Sequence, residues 1–330
     1  MENKRDITFD VMKGIGILLM LVAHWPKFPQ WVHHSISSFL MPMYFMVAGY
    51  FSKPVVDCAK SLKKSALRLL LPYVFTQFLL IGWGAIQAFA KHDVGCVLKP
   101  ALSLVWGSCD LIESSWGPIY VGPMWFLVAL FWGKSFFELI LNWVQSAWLL
   151  VICFLASVAA IAVHSFIPSP WCFFQGLSSL MFLALGWWIR NRRIPNWIIC
   201  LALLCWPLSM VFSSMEFADL HYQIFPLDVM GACGGTLGLW WLSRQLVKIK
   251  WLAKPLSWCG VYSLVILCFH NFEWFSAVPY SIIAHVPVDL DGNGMVVFRY
   301  LFVIGSVVLV TKLPYVCYVY GVKHFNSNRK

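Results

Sequence analysis

Charge is scarce in this sequence, and negative charge scarcest. Of 330 residues 12% are Asp, Glu, Lys or Arg, and the 14 carboxylates are outnumbered by 24 basic side chains. A soluble domain carries about 25% charged residues, so the chain lacks the polar surface that water demands of a folded protein. It has no polar stretch long enough to fold separately, no Cys-x-x-C or Cys/His set at zinc spacing, and no internal repeat relating its halves. These absences exclude a soluble enzyme and a zinc module, and a metal site is not expected. The net charge of +10 is not gathered on a soluble basic face, which excludes nucleic acid as a partner.

What is present is apolar. Hydrophobic residues make up 60% of the chain and its mean hydropathy is +0.74. Apolar runs long enough to cross about 30 Å of hydrocarbon recur along almost the whole length. They predict an all-α polytopic membrane protein with about ten transmembrane helices, near 7–25, 32–51, 67–90, 119–142, 146–165, 172–190, 196–214, 223–244, 255–276 and 295–318. The stretch 97–109 is apolar but short and holds Pro100, so it reads as a re-entrant or interfacial segment. One integral-membrane domain over 1–330 is expected, with no separate soluble domain.

Orientation follows from the basic residues, which stay on the cytoplasmic side. With both termini cytoplasmic, eighteen of the 24 Lys and Arg fall inside, four outside (Lys27, Lys91, Lys99, Arg299) and two within spans (Lys13, Lys134). A cleaved signal peptide is the competing reading of residues 1–25. Asp10 and Lys13 interrupt its apolar core and no small-x-small site follows, so the first span is expected to stay in the mature chain. Most of the 11 cysteines read as small apolar fillers. Cys96 and Cys109 share one outer connection, where a disulfide between them is chemically allowed.

The first span, FDVMKGIGILLMLVAHWP, keeps three titratable side chains. At about 100° per residue Asp10, Lys13 and His24 lie on one stripe, with Ile17 and Met20 between them. Such groups cost free energy in hydrocarbon and must face a bundle interior or a wet path. A rise of about 1.5 Å per residue puts Lys13 about 16 Å and Asp10 about 21 Å from His24, so Asp10 is too distant to orient that histidine. Asp10 and Lys13, at i and i+3, are spaced to neutralise one another. Gly14 and Gly16 let another backbone or a ligand approach closely, and Ala48 with Gly49 do the same in the second span, which contains Pro42. Lys64 and Arg68, at i and i+4 in KKSALRLLLPYVF, can reach one anion at the membrane surface.

These segments, RDITFDVMKGIGILLMLVAH, MPMYFMVAGYF and ALRLLLPY, resemble the membrane acyltransferase 3 family, and within it the branch of fucose 4-O-acetylases. GPMWFLVALF from Gly122 and SLVILCFHN from Ser263 resemble later family spans. The resemblance implies transfer of an acyl group, usually acetyl, from cytoplasmic acyl-CoA to a hydroxyl of a cell-surface or lipid-linked glycan. It implies a multi-pass protein of the cell membrane, with acyl-CoA as co-substrate and no permanently bound cofactor. His24 matches the family's catalytic histidine and Lys13 its basic partner. Arg68 matches the second arginine of a paired-arginine motif, whose first position here is Ser65, with Lys64 alongside as a less bidentate substitute. Leu40 stands where many relatives have histidine.

The residues agree with that chemistry by themselves. A coenzyme A thioester has phosphates at one end and its reactive carbon at the other. Lys13, Lys64, Arg68 and Asp10 form the expected donor end, with His24 as the base. Trp125, His270 and Asn271 are candidates for lining the site. Direct base catalysis is preferred over an acyl-histidine intermediate. Outer-loop carboxylates at Asp93, Asp110, Glu113, Asp289 and Asp291 have the chemistry to bind sugar hydroxyls. A solute transporter or flippase is the alternative that ten spans with intramembrane charges also fit.

Overall fold

The computed structural model describes residues 6–24, 29–191, 195–276, 278 and 292–327. The chain is helical nearly throughout, the outcome that hydrocarbon imposes by leaving backbone N–H and C=O groups nothing but one another to bond. The helices are α1 (Ile7–Ala23), α2 (Gln30–Phe51), α3 (Cys58–Lys91), α4 (Gly95–Trp106), α5 (Trp125–Trp143), α6 (Ala147–His164), α7 (Phe173–Ser178), α8 (Leu180–Asn191), α9 (Asn196–Phe212), α10 (Phe225–Leu246), α11 (Lys250–Val261), α12 (Ser263–Ser276) and α13 (Gly292–Ser327). A two-residue antiparallel hairpin, β1 (Met215–Glu216) with β2 (His221–Tyr222), joins α9 to α10. The N-terminal ends of α1 and α3 are capped by carboxylates. Asp6 accepts from the Thr8 N–H at 2.9 Å and Asp57 from the Lys60 N–H at 3.0 Å.

The segments that the sequence marks as apolar are largely helical, and among the described residues three helical stretches, Cys58–Lys91, Gly122–Trp143 and Ala147–His164, are long and apolar enough to cross a membrane. Five qualify if each of two bent pairs counts as one span. The expected spans at 172–190 and 255–276 are not single rods. The first breaks with a 42° bend between α7 and α8, the second with a 67° bend between α11 and α12. The third expected span begins earlier than read from its apolar run, because its basic first turns at Lys60, Lys63 and Lys64 continue the same helix. The segment near 97–109 forms α4, a 12-residue helix packed on α3.

The exterior is apolar, and polar groups share the interior with a large hydrophobic core. Phe75, Phe78, Phe89, Trp143, Phe212 and Leu301 lie on the surface, while Asp10, Gln77, Glu138, Gln175, Asn271, Glu273 and Arg299 are inside. An apolar exterior with the charged and polar groups kept inside is what a bilayer solvent selects. Arg299, read from sequence as an outer charge, lies within α13 and is buried. The reason is a partner: the Glu273 carboxylate of α12 receives it.

Small residues set the tightest crossings. A Cβ at Gly14 would sit 1.9 Å from the Leu256 carbonyl oxygen, and one at Gly260 would sit 1.7 Å from that of Asp10. Here α1 and α11 touch backbone to backbone. Gly49 against Leu183 and Gly186 against Met46 make the same reciprocal contact, each at 1.9 Å, between α2 and α8. The close approach expected at Gly14, Gly16 and Gly49 is therefore present. Replacing Gly260 with valine is expected to destabilise the fold by about 3 kcal/mol, read as a lowered thermal midpoint in detergent. Gly82→Ala, where nothing lies within 4 Å of the added carbon, serves as the control and should leave that midpoint within a degree or two.

Candidate active site

The stripe on α1 is positioned by its neighbours. α1 packs against α2, α10, α11 and α12, so nearly all of its circumference is covered. Asp10 is buried near its start and Lys13 partly buried one turn on. Their side chains meet in an ion pair of 3.0 Å between Lys13 Nζ and Asp10 Oδ1. The two charges thus neutralise one another, as their spacing allows. The Tyr44 hydroxyl of α2 donates to the Lys13 carbonyl at 2.9 Å, which holds that turn in place.

His24 terminates α1. Its backbone N–H bonds the Met20 carbonyl at 3.2 Å, and its ring Nδ1 lies 2.8 Å from the same oxygen. A carbonyl only accepts, so Nδ1 carries the proton and Nε2 keeps a lone pair able to take another. The ring packs edge-on against His270 and Trp274 of α12, at 5.1 and 5.4 Å between centroids.

α12 brings a polar chain to this point. His270 Nδ1 lies 3.4 Å from Glu273 Oε2, and Glu273 in turn receives Arg299 through both carboxylate oxygens, with Nη2 at 3.1 Å from Oε2 and Nε on Oε1. Arg299 also lies over the Trp274 ring at 5.6 Å. A bidentate guanidinium fixes the carboxylate in plane and neutralises it without water. The Tyr300 hydroxyl donates to the Leu21 carbonyl at 2.6 Å, tying α13 to the end of α1 that presents His24. Neither Glu273 nor Arg299 was singled out from sequence. The available signal was a carboxylate three residues after a histidine in an apolar helix, with Arg299 near the start of the following apolar run.

Beside His24, polar valences are left open. His270 Nε2 and both amide atoms of Asn271 are buried and have no hydrogen-bond partner among the described residues. Buried polar groups are nearly always paired; among the described residues atoms of Gln77, Trp132, Gln175, Tyr222 and Thr236 also lack a partner, while His270 carries its open Nε2 on the ring that packs against His24. Gly122, at φ +58, brings its backbone against this spot, because a Cβ there would lie 3.0 Å from Asn271 Oδ1. Leucine or valine in its place would both strain the turn and close the space.

The remaining candidates sit on α3 and at the start of α5. Trp125 opens α5 and stacks on Phe217 at 6.2 Å, a packing contact. Lys64 and Arg68 are exposed on α3, with Ser65 buried between them. α3 packs on α4, α5 and α12, so it shares α12 with α1 as a neighbour. A cavity of about 550 Å³ opens at the far end of α1 from His24, between Ile7 and the face of α11 that carries Lys250, Lys254, Trp258 and Tyr262. It is remote from the histidine by nearly the full length of α1, about 25 Å.

Of the outer-loop acids, Asp110 is consumed by structure. It accepts from His164 Nε2 at 3.1 Å, the Ser169 N–H at 2.5 Å and Gln175 Nε2 at 3.2 Å. Asp93 bonds the Gly95 N–H at 2.9 Å and Glu113 is exposed, while Asp289 and Asp291 lie outside the described residues. The hairpin adds two acids not read from sequence. Burial first, and then the neighbouring Asp219 carboxylate, raise Glu216 to about 7, and burial followed by Asp110 raises Asp219. The disulfide that chemistry allows between Cys96 and Cys109 is not formed. Cys96 Sγ faces Asp93, and Cys109 Sγ lies against Cys172 instead. The α4 helix separates the two residues that sequence had placed in one loop.

Comparison with known proteins gives the family. The profile described as an acyltransferase domain matches residues 6–315, nearly the whole chain. A relative is the nodulation protein NolL of Mesorhizobium japonicum, 28% identical over 142 residues, which is 39% of this chain and 34% of that protein. The match thus spans about a third of NolL's length. No solved structure matches. With three to five helical stretches among the described residues long and apolar enough to cross a membrane, this chain belongs to the acyltransferase 3 family.

Proposed function

We propose that the protein transfers an acetyl group from cytoplasmic acetyl-CoA to a hydroxyl of a cell-surface or lipid-linked glycan, with His24 as the general base. The observation that carries this reading is the Nδ1 contact of His24 to the Met20 carbonyl, which leaves Nε2 as the basic nitrogen beside the open valences of His270 and Asn271. In this reading about ten helices cross the cell membrane with both termini cytoplasmic. The donor's phosphates are held near Lys13, Lys64 and Arg68, with Asp10 adjusting Lys13.

The chemistry follows from those positions. His24 Nε2 takes the proton of the acceptor hydroxyl as its oxygen attacks the thioester carbon, and returns it to the departing thiolate. The tetrahedral intermediate places negative charge on the former carbonyl oxygen. The Asn271 Nδ2–H has no other partner among the described residues and is the proposed donor to that oxyanion. The Glu273–Arg299 pair fixes His270 and with it the wall against which His24 packs. No acyl-histidine is required, because base and hydroxyl act in one step. A transporter would need no such base and no orphaned donor beside it.

Purified protein given acetyl-CoA and candidate glycans tests this. His24→Ala should lower the transfer rate by about 10² to 10⁴-fold with the protein still folded. Asn271→Ala should lower kcat by about 10² to 10³-fold with little change in KM for acetyl-CoA. The paired change Lys64→Ala with Arg68→Ala should raise KM for acetyl-CoA and spare kcat. Undiminished transfer by the His24→Ala protein would overturn the assignment.

A further inference from the structure

We propose that Cys109 and Cys172 are joined by a disulfide in the mature protein. The inference rests on the orientation given above, which places both at the outer, oxidising face. Their Sγ atoms are 3.8 Å apart, and Cys172 is fully buried. A disulfide needs about 2.05 Å, so the sulfurs must approach by less than the length of one carbon–sulfur bond, within the reach of side-chain rotation.

Three outer connections meet at these two sulfurs. Cys109 Sγ lies 3.2 Å from the Ala218 carbonyl of the α9–α10 connection and receives Gln175 Nε2 at 3.3 Å. Cys172 Sγ lies 3.4 Å from the Gly107 carbonyl. Trp171 and Cys172 are two successive non-glycine residues at positive φ, 54° and 47°. Such backbone persists only where its surroundings hold it. A covalent tie from Cys172 to the 107–121 connection supplies that hold.

The tie also bears on the active site. The Val121 N–H bonds the Ser108 carbonyl at 2.9 Å, and Ile112 pairs with Ile119, so 108–121 is a closed loop with Cys109 at its base. The next residue is Gly122, the backbone that abuts Asn271. Pinning Cys109 therefore fixes the loop that sets the outer wall of the site.

The reaction is thiol–disulfide exchange with a disulfide-bearing oxidant of the outer compartment. One thiolate attacks the oxidant's S–S bond to give a mixed disulfide, and the second displaces the oxidant. Two thiols and one disulfide become one disulfide and two thiols, with both electrons ending on the oxidant. The depth of Cys172 requires this to occur before the three connections close over it.

The test uses full-length protein in native membranes. Free thiols are blocked with a maleimide on denaturation, the protein is then reduced and labelled with an isotopically heavy maleimide, and each cysteine is read by mass spectrometry. Cys109 and Cys172 should carry the heavy label, a crosslinked 109–172 peptide should be released only by reductant, and Cys109→Ser should return Cys172 to the light label. Reductant should lower the wild-type thermal midpoint by several degrees and leave the Cys109→Ser/Cys172→Ser protein unmoved. Light label on both residues in wild-type protein overturns the proposal. A single cysteine placed at exposed Ile167 and probed with an impermeant maleimide on intact cells separates the two levels of failure. Labelling there with light label at 109 and 172 sinks the disulfide alone, and labelling only in inverted vesicles sinks the orientation on which it rests.

Discussion

The architecture turns on one backbone contact, the crossing of α1 and α11 at Gly14 and Gly260. Two helices can approach this closely only where neither carries a Cβ, and each glycine here lies under a carbonyl of the other helix. The crossing fixes the depth and rotation of α1. Because α11 bends by 67° directly into α12, it also determines which residues of α12 arrive at the far end of α1. His24 meets His270 and Trp274 as a consequence of a glycine pair more than two helical turns away.

The second constraint is the solvent. In hydrocarbon a charge without a partner is costly, and the interior answers with short chains of paired groups. Asp10 holds Lys13, Glu138 holds Lys134, and Glu273 holds Arg299 and leans on His270. Among the buried polar atoms left without a partner in the described residues, the nitrogen of His270 and the amide of Asn271 lie on the helix that packs against His24. The His270 ring adjoins His24, whose tautomer is set by a helix carbonyl. The paired groups keep the polar interior neutral, and the open valences of His270 and Asn271 are where the proposed function places its substrate.

How much of this was legible beforehand follows from the range of the interactions. The helical phase of Asp10, Lys13 and His24 is a property of one continuous helix, and their stripe was readable from spacing. So was the ion pair, since i and i+3 contact is local. Glu273 and Arg299 were not read together, because 26 residues and an undescribed connection separate them and nothing in an apolar run signals which other run it will face. The bends within 172–190 and 255–276 were missed because hydropathy reports length and not direction. Cys96 and Cys109 were placed in one loop for the same reason. α4 lies between them, and Cys109 finds Cys172 from a distant segment.

The sequence by itself determined the solvent, the helical class, the polar stripe of the first span and the identity of its terminal histidine, since each rests on composition or on contacts within a few residues. Only the tertiary structure decided which groups stand around that histidine, which charges are neutralised, which amide is left open and which cysteines touch. Those outcomes depend on helices meeting at small-residue crossings, and the partners they bring together are up to hundreds of residues apart.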